Sequence, residues 1–181
     1  MSRPIAIIAL GAVLAISAAL VPAGRGAPIL PSSPLADQVR SLAGLNTLRL
    51  LVEPVSADLT AMGIDAEDLA ADQRAELRRA GLDVVDESDQ PERESTLPRL
   101  TIEIISVQEP KLPDAIAFSV NLMLEQQVRI ERLDKVISVP TYVRHAMALV
   151  PKEEARKTIV TTTDHLVHQF MKWTREATEG Q

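Results

Sequence analysis

Three histidines, His145, His165 and His168, and no cysteine make up the chain's stock of imidazole and thiol side chains. The run "DHLVH" sets His165 and His168 three residues apart, which on a helix places both on one face, where they could share a metal. Asp164 points about 100° away from His165 on the same helix. Two imidazoles fall short of the ligand count of a zinc site, and no H-E-x-x-H motif is present. The pair therefore reads as flanking residues of a half-buried helix, and no metal ligand is assigned. His145 shares a strand face with Val143 and Met147. A general base there needs a nucleophile or carboxylate partner, and the sequence gives no means of placing one. A G-x-S-x-G elbow, a Walker loop and a D-x-[DN]-x-[DN]-G calcium loop are also missing. No catalytic residue and no cofactor is assigned, and the chain does not read as an enzyme. The lack of cysteine further excludes a disulfide framework, thiol catalysis and the acylated cysteine of a bacterial lipoprotein.

Composition narrows the partners. The 181 residues suffice for one domain with a core of its own. Hydrophobic residues make up 46%, but aromatics only 2%: Phe118, Tyr142, Phe170 and Trp173. Leu, Ile, Val, Ala and Met must therefore build the core. So few rings argue against a carbohydrate or single-stranded nucleic-acid platform, since both depend on stacking. Net charge is −6, and it is local: Asp65 to Glu103 holds twelve carboxylates against five arginines. A phosphate backbone is repelled by such a surface, so nucleic acid is excluded as a partner. The dense carboxylates from Asp65 to Glu94 read as a solvated acidic face.

The first residues, "MSRPIAIIALGAVLAISAALVPAGRGA", show one arginine, an apolar run from Ile5 to Val21 and then small residues. This is the pattern of a secretory signal peptide, with Val21 and Ala23 suited to the −3 and −1 positions of a cut after Ala23. The rival reading is an uncleaved anchor, because the apolar run is at the lower limit for spanning a bilayer. Either way the chain is expected to be exported, to the periplasm or beyond it in a bacterium. Residues 24–44 carry Pro28, Pro31 and Pro34 and read as a flexible arm. One α+β domain is expected over residues 45–178.

Within that domain, "LNTLRLLVEPV" reads as a first strand. "SADLTAMG" loops to a helix marked at both ends. Asp65 is a good N-cap, and Asp68 three residues on resembles a capping box. Ile64 and Leu69 have the spacing of a hydrophobic staple. Leu69, Gln73, Leu77 and Ala80 form one stripe. Arg78 and Arg79 suit the last turn, and Gly81 the left-handed residue after it. "LDVVDE" is a short strand, "SDQPERESTLP" a mobile loop, and "RLTIEIISVQ" a third strand with Leu100, Ile102 and Ile104 on one face. "FSVNLMLEQQVRIER", residues 118–132, alternates with Phe118, Val120, Leu122, Leu124, Val128 and Ile130 on the even face. Gln126 interrupts that series, which suggests a bulge near Gln126–Gln127. "RLDKV" makes a hairpin. "VISVPTYVRHAMALV" is the fifth strand, with Ile137, Val139, Val143, Met147 and Leu149 in phase. Pro140 cannot donate to a ladder, so this strand belongs at an edge or is interrupted there. From Lys152 the period changes: Ala155, Ile159, Thr163, Leu166, Phe170, Trp173 and Ala177 mark a final helix. The order β-α-β-β-β-β-α predicts an α+β two-layer sandwich, a mixed sheet with two helices packed on one face.

The segments "GIDAEDLAADQRAELRRAGLDV", "LPRLTIEIISVQ", "AFSVNLMLEQQVRI" and "HLVHQFMKW" resemble those of a widespread set of small uncharacterised exported bacterial proteins. The resemblance spans about residues 45–176. Many of those proteins carry a threonine–tryptophan pair in the fifth strand, where this chain has Thr141–Tyr142. More loosely, the layout is similar to small α+β modules of bacterial envelope assemblies, such as the amino-terminal domain of TolB and curli-secretion lipoproteins. These resemblances imply a fold and bring no activity with them.

Three functional readings follow. The first is a non-catalytic exported module that binds or assembles in the cell envelope, with an envelope protein or a second copy as partner. Its partner surface would be the polar odd face of the long strand: Asn121, Glu125, Gln127, Arg129 and Glu131. The second is a carrier of a small apolar ligand between helices and sheet. The third is a hydrolase, with His145 the first residue to test.

Overall fold

The computed structural model describes residues 37–85 and 96–180. The signal-like segment, the first part of the expected arm and most of the polar loop after the second strand lie outside the described residues. In chain order the elements are α1 (Asp37–Arg40), β1 (Thr47–Val52), α2 (Ala57–Ala61), α3 (Ala66–Arg79), β2 (Asp83–Val85), β3 (Arg99–Val107), β4 (Ala115–Ile130), β5 (Lys135–Pro151) and α4 (Lys152–Glu179). A 3-10 turn at Glu131–Leu133 joins β4 to β5, with Asp134 in the left-handed region at φ 49°.

The five strands form one mixed sheet in the order β2-β1-β3-β4-β5. β1 runs parallel to both its neighbours, and β3, β4 and β5 form an antiparallel meander. The crossover through α2 and α3 explains the parallel β1–β2 pair, since adjacent parallel strands need a connection that returns to the same end. The inner face of the sheet supplies Leu48, Leu50, Val84, Leu100, Ile102, Ile104, Phe118, Val120, Leu122 and Leu124, all buried. Against them α3 turns Leu69, Gln73 and Leu77, and α4 turns Ala155, Ile159, Thr163, Leu166, Val167, Phe170, Thr174 and Ala177. This is the α+β two-layer sandwich.

Local signals hold where they rest on capping chemistry. Asp65 Oδ1 accepts from the backbone N–H groups of Glu67 (2.8 Å) and Asp68 (3.2 Å), satisfying two orphan donors of α3. Arg78 in the last turn donates to the Val84 carbonyl at 2.7 Å, tying α3 to β2. Gly81 follows with φ +92°, a conformation that penalises a Cβ. In α4 the β-branched threonines donate back along the helix: Thr163 to the Ile159 carbonyl and Thr174 to the Phe170 carbonyl, both at 2.9 Å. Buried hydroxyls are thereby satisfied inside an apolar stripe.

Four expectations need correction. The arm read as residues 24–44 does not extend to 44: Asp37–Arg40 form α1, and Val39 and Leu42 are buried in the core. Their burial outweighs the proline-bearing context that suggested a loose segment. "SADLTAMG" is not plain loop, because Ser56 caps α2 and Leu59 is fully buried; five residues are too few to show a helical period. The ladder irregularity lies between Leu124 and Glu125 rather than at Gln126–Gln127, and the extra residue is Thr141 on β5. Finally, the apolar series on β5 does not stay on one face. Ile137 and Val139 pair with Val128 and Gln126, whereas beyond Thr141 the inner register passes to Tyr142 and Arg144. One extra residue switches faces for the rest of the strand. Val143, Met147 and Leu149 therefore stand on the outer face, exposed. The expected edge position of β5 is the one the sheet shows, with Pro140 beside the bulge.

Candidate functional site

The outer face of the sheet can be built row by row from the register. Arg49, Arg99 and Glu125 align across β1, β3 and β4; Leu51, Thr101, Met123 and Val143 follow; then Glu103, Asn121 and His145; then Ile105, Ser119 and Met147; and last Val107, Ala117 and Leu149. The described helices bury their apolar stripes on the opposite side; on this face Thr101 is buried, and the large apolar side chains of the last two rows are exposed. Its polar centre is internally paired. Arg99 forms an ion pair with Glu125, and Asn121 Nδ2 donates to Glu103 Oε2 at 3.0 Å. The last two rows differ. Met147 is 74% exposed and Val107 and Leu149 each 63%, with Ile105 beside them. Together with Ala117 and Ser119 they line a shallow groove of about 440 Å³. Clustered apolar exposure of this kind is unusual on a monomer, in contrast to scattered single residues.

Beyond Glu125 and Pro140 the β4–β5 hairpin runs past the end of β3 as a two-stranded ribbon. It exposes Val128, Val136, Ile137 and, in its turn, Leu133. The five polar residues read from the sequence are thus divided. Asn121 and Glu125 lie on the sheet's outer face. Gln127 and Arg129 lie on the ribbon, where Arg129 pairs with Asp134, and Glu131 opens the 3-10 turn.

On the other side, Tyr142 anchors β5 to α4. Its ring meets Phe170 edge-on at 5.5 Å between centroids and Trp173 at 6.2 Å. The Arg144 guanidinium lies 4.5 Å from the Trp173 centroid and 5.1 Å from that of Tyr142, and it donates to Gln38 Oε1 of α1 at 3.1 Å. Tyr142 Oη is buried without a hydrogen bond of normal geometry. Burial pushes its pKa above the ordinary phenol value, and the nearby Arg144 charge opposes that rise.

The histidines fall into two separate places. His145 is exposed on the outer face opposite Asn121, and among the described residues it has no hydrogen-bond or ion-pair partner. His165 and His168 border a groove of about 390 Å³ between α3 and α4, which Gln73, Asp164 and Met171 also line. There Gln73 Nε2 donates to Asp164 Oδ1 at 2.7 Å, and His165 Nε2 lies 2.8 Å from Gln169 Nε2. Among the described residues no group of three His, Asp or Glu is disposed to hold a metal ion. The layer between helices and sheet, where a carried ligand would lie, is filled by Leu48, Leu122, Leu124, Tyr142, Ile159 and Phe170, all fully buried.

The apolar rows were not foreseen, yet the sequence carries a trace of them. Ile105 and Val107 are apolar at the odd positions of β3, against the alternation that Leu100, Ile102 and Ile104 establish. Among the described residues no helix is long and apolar enough to cross a membrane.

No protein-family model matches the chain, and no curated protein matches it. Among solved structures the chain is similar to a minor lipoprotein from Acinetobacter baumannii, at 14% identity, over 72% of this chain and 90% of that one, with a TM-score of 0.34. So distant a likeness carries no functional argument.

Proposed function

We propose that this chain is a non-catalytic, exported protein of the bacterial envelope that works by docking a protein partner on the outer face of its sheet. The observation that carries this reading is the exposed apolar end of that face, Ile105, Val107, Met147 and Leu149. Water-facing side chains of this size cost solubility and stabilise nothing in the isolated chain, so their clustering is best explained by a partner that covers them. The polar neighbours Asn121 and Glu125 form the rim, as interface rims commonly do. Gln127, Arg129 and Glu131 extend it along the ribbon. The signal-like N-terminal sequence supports an envelope setting.

The test uses Ile105→Glu/Val107→Glu, a double variant on β3, two strands away from the sheet edge. Full-length parent and variant are compared as baits in an envelope fraction, after far-ultraviolet dichroism has shown equal folding. The reading expects one or more proteins retained by the parent and lost by the variant. Identical captured sets from two equally folded baits would remove the outer face as the docking surface.

A further inference from the structure

The groove between α3 and α4 lies on the helical side of the sheet, and its lining is rich in hydrogen-bond acceptors. We propose that it binds an organic cation through a primary ammonium group, recognised by Gln73, Glu76, Asp164 and His168. This site is separate from the outer face and does not depend on the docking reading.

The spacing along the two helices builds the groove. Gln73 and Glu76 are three residues apart on α3. Thr161, Asp164, His165 and His168 fall at i, i+3, i+4 and i+7 on α4, so each set shares one face of its helix. The groove they line holds about 390 Å³, toward the lower end for small-molecule sites. Val167 and Met171 add an apolar strip, which suits the methylene stem that carries an amine.

Gln73 is the unusual member. It stands in the buried stripe of α3 between Leu69 and Leu77 and is 1% exposed. Its Nε2 donates to Asp164 Oδ1 at 2.7 Å, which places the carboxamide end at the wall that Asp164 forms. Its Oε1 is buried without a hydrogen-bond partner. An unpaired buried amide oxygen is a cost that a leucine in this stripe would avoid, and an N–H donor brought by a ligand removes it.

The charges select the donor. Asp164 is engaged through one carboxylate oxygen, and Glu76 through one, by Arg79 at 2.9 Å, so each keeps an oxygen for a ligand. His168 is exposed and has no hydrogen-bond or ion-pair partner among the described residues. Its neutral imidazole offers one more acceptor, while His165 is engaged with Gln169. An anionic ligand is repelled by such a lining. A metal ion needs three or more ligating groups disposed around it, and among the described residues no such group exists. An ammonium carries three rotatable donors on a flexible stem and imposes no strict geometry, so it can serve Gln73 Oε1 and the two carboxylates together.

The probes are diaminopentane, a free amine, and acetyl-lysine amide, which stands for a lysine side chain of a protein. Each is titrated by calorimetry into the full-length chain in mildly alkaline buffer, where imidazole is neutral. Magnesium chloride at equal ionic strength controls for diffuse attraction. The parent is compared with Gln73→Met, Glu76→Gln, Asp164→Asn and Asp72→Asn, the last an exposed acid of α3 that does not line the groove. The proposal expects one probe molecule per chain. Glu76→Gln, Asp164→Asn and Gln73→Met should weaken binding about tenfold or more, the scale of one hydrogen bond to a charged group, and Asp72→Asn should leave it unchanged. Should Gln73→Met fail to fold, the two carboxylate variants carry the test. Binding of diaminopentane alone supports the site and assigns it to a free amine; binding of acetyl-lysine amide supports it and assigns it to a lysine side chain. A parent that binds neither probe overturns the proposal. So does displacement by magnesium, an equal loss in Asp72→Asn and Asp164→Asn, or a folded Gln73→Met that binds like the parent.

Discussion

The hydroxyl of Thr141 donates to Oε1 of Gln126 at 2.6 Å, across the point where the β4–β5 ladder slips by one residue. The bond clamps the bulge that turns Val143, Met147 and Leu149 outward, and Ser41 adds a contact to the Thr141 carbonyl. Thr141→Val keeps the shape and removes the donor. It should cost about 0.5–1.5 kcal/mol, the usual range for one hydrogen bond. Urea unfolding measures it, and an unchanged or raised midpoint would show that the clamp contributes nothing.

The buried and open faces of β4 give a second test. Leu124 on β4 and Phe170 on α4 are both fully buried. Phe170→Ala should cost about 3–5 kcal/mol, and Leu124→Asp at least as much, because it buries a charge with no partner. Arg129 is exposed on the ribbon and paired with Asp134, so Arg129→Ala should cost little. Equal small losses for Leu124→Asp and Arg129→Ala would mean the sheet's buried face is misassigned.

Arg144 links α1, β5 and α4 through Gln38, Tyr142 and Trp173. Arg144→Ala should lower stability by about 1–2 kcal/mol and shift the emission of the chain's single tryptophan. Tyr142 adds a pH dependence. Its folded pKa is raised above the unfolded value of about 10, by burial first, so the folded state holds its proton longer. The corresponding stability is complete below pH 10 and is lost as pH rises through the folded pKa. In Tyr142→Phe the fall above pH 10 should be shallower, and the same slope in both proteins would exclude Tyr142 as its source.

Chelation tests the histidine pair. His165 lies beside Gln169, and Asp164 is engaged by Gln73. Excess chelator should leave the melting temperature unchanged. A drop of several degrees would reinstate a structural metal at His165 and His168, since metal binding contributes directly to folding.

Much of the fold was legible because it rests on short-range chemistry. Asp65, Gly81 and the stripe from Ala155 to Ala177 mark α3 and α4 whatever surrounds them. The face of β5 was not legible, for a packing reason. Its inner face uses Ala146 and Ala148, small residues packed against the core, while larger apolar side chains stand outside. Hydrophobicity along β5 thus points to the wrong face, and the extra residue at Thr141 hides the change of phase. The candidate site suffered twice over, because polar alternation on β4 drew attention to Asn121 through Glu131, while the apolar rows depend on pairing among three strands. No single-strand pattern contains that pairing.

Methionine oxidation tests the central claim most directly. Met147 is the most exposed methionine among the described residues, whereas Met62, Met123 and Met171 are half-buried. Peroxide should therefore convert Met147 to the sulfoxide first in dilute purified protein. In intact envelopes, mass spectrometry of the same peptide should find Met147 strongly protected relative to Met62, because a partner covers the outer face. Equal oxidation of Met147 in the dilute protein and in the envelope would contradict the account.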